Sequence, residues 1–76
     1  MRQYLIICND IESDERWVLT TRGGWMKVGA DDATWMRFAT IAAAREFIET
    51  DSRAALPDWG TRQRIGHRDF GKQAAA

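Results

Sequence analysis

Arg16-Trp17-Val18-Leu19-Thr20-Thr21-Arg22-Gly23-Gly24-Trp25-Met26-Lys27-Val28 is the stretch that decides the fold. Two runs of β-branched and aromatic residues flank a glycine pair, and glycine takes the positive φ that a tight hairpin turn demands. With Gly23-Gly24 as a two-residue loop, Arg22 faces Trp25, Thr21 faces Met26, Thr20 faces Lys27 and Leu19 faces Val28. Side chains alternate along a strand, so this register sets Trp17, Leu19, Met26 and Val28 on one face. Val18, Thr20, Arg22, Trp25 and Lys27 then share the other.

Upstream, Gln3 to Cys8 is apolar with no helical period and reads as a central strand, followed by a polar loop from Asn9 to Glu15. Downstream, Gly29 to Thr34 is turn-forming and Trp35 to Phe38 is a short extended segment. Thr40 then caps a helix over Ile41–Glu49, whose Ile41, Ala44, Phe47 and Ile48 fall on one face and should pack on the sheet. Phe38 is placed to staple the helix entry. Asp51-Ser52 ends or re-caps the helix, Leu56-Pro57-Asp58-Trp59-Gly60 is a turn, and Thr61 to Gly66 is a candidate edge strand. Alternating arginines there would discourage edge-to-edge association. The sequence thus predicts an α+β fold, a small antiparallel sheet of three or four strands with one helix packed on one face. A single domain over residues 1–70 and a frayed tail over 71–76 complete the expected organisation.

At 76 residues the chain has room for one core. Its single cysteine, Cys8, lies in the apolar run and reads as a small buried hydrophobe; with one histidine, His67, neither a disulfide framework nor a zinc site can be built. An unpartnered cysteine and an N-terminal apolar run too short for a signal peptide or a membrane span point to the cytoplasm. Eleven basic and eleven acidic residues cancel, which argues against a protein that holds nucleic acid by net field. Residues 1–52 nevertheless carry net −3 and residues 53–76 net +3, with acidic residues crowded at Asp10, Glu12, Asp14 and Glu15. Four tryptophans exceed what so small a core hides, so at least one is expected at the surface.

Convergent catalytic groups are not apparent, and the expectation is a protein that is not an enzyme and needs no cofactor or metal. His67 and Asp69 have no nucleophile beside them in sequence, and the adjacent pairs Asp14-Glu15 and Asp31-Asp32 point in opposite directions on extended chain. Gly23-Gly24 lacks the lysine and following helix of a phosphate loop. One site-like feature remains: Arg22 opposite Trp25 with Lys27 beside them, a cation and π surface able to anchor a partner or stack a base. The competing account is an ordinary exposed face on which Arg22 covers Trp25. The arginines of the basic end, Arg62, Arg64 and Arg68, join Arg22, Trp25 and Lys27 as candidate partner-binding residues.

Trp17, Gly24, Trp25, Lys27, Ala33, Arg37, Phe38, Thr40 and Ala44 carry a resemblance. The stretch from Trp17 to Phe47 resembles many small phage-encoded proteins in which a tryptophan-bearing hairpin precedes an alanine-x-x-x-phenylalanine-x-threonine signature and an alanine-rich helix. Here Trp35-Met36 stands inserted before Arg37-Phe38, and the arginine-rich ending lies outside the pattern. The resemblance implies a phage or mobile-element origin, and with it an inhibitor of host defence of the anti-CRISPR kind. The expected partner is then a host protein or ribonucleoprotein defence complex, not a membrane. The alternative is a small nucleic-acid-binding accessory, its basic end tracking phosphates and its sheet face stacking bases.

Overall fold

In the computed structural model, which describes residues 2–69, the chain runs β1 (Arg2–Asp10), β2 (Arg16–Leu19), β3 (Trp25–Lys27), α1 (Ile41–Thr50), a 3-10 turn (Ser52–Ala54) and β4 (Gly60–Asp69). Among these residues the four strands form one antiparallel sheet in the order β3-β2-β1-β4. The α+β architecture with one helix on a small sheet is therefore the one the sequence predicts. β1 is central because it is the apolar run: Leu5, Ile6, Ile7 and Cys8 are all buried, as a strand flanked by neighbours and covered on both faces must be. It runs further than expected, since Asn9 and Asp10 belong to the strand and Asn9 is buried.

The hairpin register differs from the sequence expectation. Leu19 pairs with Trp25, Val18 with Met26 and Trp17 with Lys27, so the loop spans Thr20–Gly24 rather than Gly23-Gly24 alone. Thr20 closes it: its N–H and its Oγ1–H both donate to the Gly24 carbonyl at 2.8 and 2.9 Å, while Gly23 takes φ +89° and donates to the Thr20 carbonyl. The pairing moves by an odd number of residues, which turns β3 over relative to β2. Trp25 and Lys27 lie on the helix side with Trp17 and Leu19, and Met26 lies with Val18 on the opposite side.

Two cores result. On the helix side Ile6, Leu19, Ala44 and Ala54 are buried, with Trp25, Met36, Phe38, Phe47, Ile48 and Ile65 packed around them. Thr40 caps α1 as expected, accepting from the Ala43 N–H at 3.1 Å, and Phe38 meets Phe47 with ring centroids 5.3 Å apart. Asp51 ends α1 and caps the 3-10 turn behind it. Ile41, predicted for the core stripe, is instead 46% exposed, because at the first position of α1 it faces a groove between the helix and β4. On the far side Leu5, Ile7, Val18 and Trp35 form a second core with Met26 and Val28 against it. Trp35 reaches it because its segment wedges between β1 and β2: Thr20 bridges Trp35, the Met36 N–H donates to the Leu19 carbonyl, and Tyr4 and Phe38 exchange both backbone bonds. Arg68 closes this side, its guanidinium 4.3 Å from the Trp35 ring centroid and bonded to Asp32 Oδ2 at 3.0 Å and the Gly29 carbonyl at 3.1 Å. The predicted frayed tail lies outside the described residues, apart from which β4 extends the expected edge strand through Asp69.

Candidate functional site: an apolar groove with a basic rim

The six candidate binding residues do not form one surface. Arg22 is exposed in the hairpin loop, but Trp25 is half-buried against the helix-side core and Lys27 is paired with Glu15 at 3.0 Å. The cation and π face built on Arg22 and Trp25 is therefore not assembled, and the cause is the shift in register. Arg68 stacks on Trp35 and pairs with Asp32, so its charge is used within the fold. Arg62 and Arg64 remain exposed on β4, the edge strand.

Beside β4 a groove of about 450 Å³ opens between the helix and the sheet edge. Its floor is Tyr4 of β1 and Ile65 of β4. One wall is a line of α1 residues one and two turns apart, Ile41, Arg45 and Ile48, and the other rim carries Gln63, Arg64 and His67. Gln63 is fixed by donating from Nε2 to the Ala54 carbonyl. Arg45 and Arg64 are both exposed, and neither is ion-paired with a described residue. Acidic residues are absent from the lining, so the groove presents an apolar floor under positive charge. A volume in this range suits an extended chain segment or a small organic group.

The strand that forms the rim is regular over part of its length. Arg64 to Asp69 pair in unbroken sequence with Ile7 to Arg2, whereas an irregularity between Ile7 and Asn9 puts an extra residue into β4 near Arg62, whose φ is +55°. Gly66 gives room to the core beside it: a Cβ there would stand 2.5 Å from Ile7 Cδ1 and would oblige that methyl to shift. Among the described residues no strand pairs with the outer edge of β4.

Cys8 and Asp51, away from the groove, have structural work. Cys8 is buried, and burial first, with the Asp10 charge second, pushes its thiol above the ordinary value. Asp51 binds the side chain and N–H of Arg53, which holds its carboxyl down to about 2, and Arg53 also lies over the Phe47 ring at 5.2 Å. Among the described residues no group of three or more His, Cys, Asp or Glu side chains is placed to hold a metal ion, and no helix is long and apolar enough to cross a membrane.

Sequence reasoning singled out Arg64 but missed Tyr4, Ile41, Arg45, Ile48 and Ile65 as site residues. Periodicity places both Ile41 and Ile48 in the core stripe: Ile48 does pack on the helix-side core and also lines the groove, whereas Ile41 lies exposed at the helix start, a difference that periodicity does not encode. The signal available was width: a helix stripe of four apolar positions faces a sheet whose last strand, Gly60–Asp69, offers Ile65 as its one large apolar side chain. No protein-family model matches the chain, and no curated protein or solved structure matches it significantly.

Proposed function

We propose that the chain is a phage or mobile-element inhibitor of a bacterial defence system, anti-CRISPR-like, which acts in the host cytoplasm by stoichiometric protein binding and performs no chemistry of its own. The observation that carries this reading is the groove beside β4, where exposed apolar surface and two arginines without described ion pairs lie together at the end of the sheet of described strands. Interfaces concentrate their energy in such places, where apolar anchors are desolvated and arginines find carboxylates at the rim. The resemblance of Trp17–Phe47 to small phage-encoded proteins supplies the biological setting.

The test is plating of a targeted phage on a bacterium whose CRISPR immunity blocks it, with and without the chain expressed. Restored plaques, together with co-elution of the chain and the effector complex on size exclusion, support the proposal. Unchanged immunity across the common effector types overturns it. A salt-sensitive shift of labelled single-stranded or duplex nucleic acid by the chain alone would favour the accessory role instead, because phosphate contacts weaken steeply with salt.

A further inference from the structure

We propose that the groove binds a small amphipathic anion, an apolar body ending in a carboxylate. This gives the groove a ligand of its own, beyond the protein partner inferred above.

The body is selected by the floor and the helix wall. Ile41 and Ile48 stand two turns apart on α1, which makes a wall about 10 Å long. Ile65 and Tyr4 lie beneath it on adjacent strands. Ile48 and Ile65 also pack on the helix-side core, so each is held from behind while its other side stays open to the groove. Such a surface is formed before any ligand arrives, and an alkyl body that fills it releases water from the isoleucines.

The head is selected by the donors. Arg45 stands about one turn from both Ile41 and Ile48 on the same wall, and its guanidinium meets no described acceptor, Glu49 one turn further on included. Across the groove, both backbone bonds of Tyr4 go to Phe38, so Tyr4 and His67 form a pair with no backbone bond between them, the class in which side chains stand closest. The phenol hydroxyl and the imidazole are likewise without a described side-chain partner. With no acid in the lining, these donors border apolar ground, where a charge-assisted bond from arginine to carboxylate is stronger than in open water.

Larger anions suit the site less. Ile65 packs on the helix side, so alternation turns the Arg64 side chain to the opposite face, and Arg45 is left as the one guanidinium on the helix side of the groove. A polyphosphate or a nucleic-acid strand needs several such groups in a row.

The probe is octanoate, titrated into the isotope-labelled full chain and followed by amide chemical shifts. Saturable shifts are expected at Tyr4, Arg45, Ile48, Ile65 and His67, with half-saturation at about 1 mM for a ligand this small. Acetate, the head without the body, and octyltrimethylammonium, the same body with the opposite charge, should not saturate. Arg45→Glu should weaken octanoate binding about tenfold, whereas Arg64→Glu on the far face and Arg22→Glu in the hairpin loop should change it less than about twofold. Ile41→Asp suits the first turn of a helix and should leave the fold intact, yet it should abolish binding by removing part of the wall and opposing the anion. No saturable shift at these residues, equal binding of octyltrimethylammonium, unchanged affinity in Arg45→Glu, or shifts centred on the Trp17 and Trp59 pair overturn the proposal. About tenfold tighter binding of octyl phosphate overturns the choice of carboxylate. Restored phage plating without octanoate binding removes the ligand site and leaves the inhibitor. Octanoate binding without any effect on immunity leaves the site and removes the inhibitor.

Discussion

Trp35 is the largest fully buried side chain among the described residues, at 2% exposure, and it packs against Leu5, Ile7 and Val18 with Arg68 across its outer face. Trp35 and Arg68, with Met26 and Val28 beside them, thus close a sheet face that has no helix among the described residues. Trp35→Ala should cost about 3–5 kcal/mol, the range for removing a large aromatic from a core, and that is most of the margin of a domain this small. Urea denaturation followed by circular dichroism checks it, and a loss of less than about 1 kcal/mol would mean that the far face is held by something other than this indole. Its direction could not be read from sequence, because the extended segment Trp35 to Phe38 is too short for an alternating pattern to declare which face each side chain takes. Asp51 is the other residue with a sharp expectation. Its carboxyl is held down to about 2, first by the Arg53 side chain and then by the Arg53 N–H. The folded value lies below the ordinary 3.8, so this contribution to stability is complete above 3.8 and is lost as pH falls through about 2. Carbon-detected NMR titration should place the Asp51 midpoint near 2. In Arg53→Ala it should move up toward 3.8, and an unmoved midpoint would assign the shift to some other group.

Among the elements, α1 and the strands were legible because each has its own local signal: Thr40 before an alanine-rich run, the apolar block Leu5–Cys8, and β-branched residues around the glycine pair. What sequence could not settle was the pairing of β2 with β3, since two glycines satisfy several turns equally well and the deciding contacts come from a distant segment. Thr21 donates to the Thr34 carbonyl and Met36 to the Leu19 carbonyl, so the chain after β3 occupies the positions that a longer β2 would have needed. β2 therefore stops at Leu19, the loop opens to five residues and β3 turns over. The exchange of faces has a measurable sign. Trp25→Ala should destabilise the protein by about 2 kcal/mol through lost contact with the helix-side core, while Arg22→Ala should stay within about 0.5 kcal/mol of the parent. A Trp25→Ala protein as stable as the parent would restore the two-residue turn and, with it, the Arg22 and Trp25 surface.

Across the whole molecule, the charge division of the sequence is kept only in part, since Arg68 pairs with Asp32 while the acidic turn stands at the other end of β1 from the groove. The acidic residues Asp10, Glu12, Asp14 and Glu15 surround the turn after β1, while Tyr4, at the floor of the groove, lies six residues back along the same strand, about 20 Å away. The acidic turn is internally organised: Asp10 Oδ1 accepts from the Glu12 and Ser13 N–H groups, and Asp14 Oδ1 accepts from Asn9 Nδ2 at 2.9 Å. Its carboxylates largely serve the loop, whereas the guanidinium groups of Arg45 and Arg64 bond to no described residue. That asymmetry decides which end should do the binding. The double variant Arg45→Glu with Arg64→Glu should keep the parent's circular dichroism spectrum and urea midpoint, because both side chains are exposed and neither supports the core. On the proposed inhibitor reading it should nevertheless fail to restore phage plating, since two carboxylates would replace the two arginines at the rim of the groove. The matched control is Glu12→Ala with Asp14→Asn, chosen because asparagine tolerates the positive φ of Asp14 and can keep the bond to Asn9. That control should fold and inhibit like the parent, with at most a change in association rate. If the acidic-turn variant fails while the arginine variant still blocks immunity, the working surface is the acidic end, and the partner is a basic groove that normally holds phosphates.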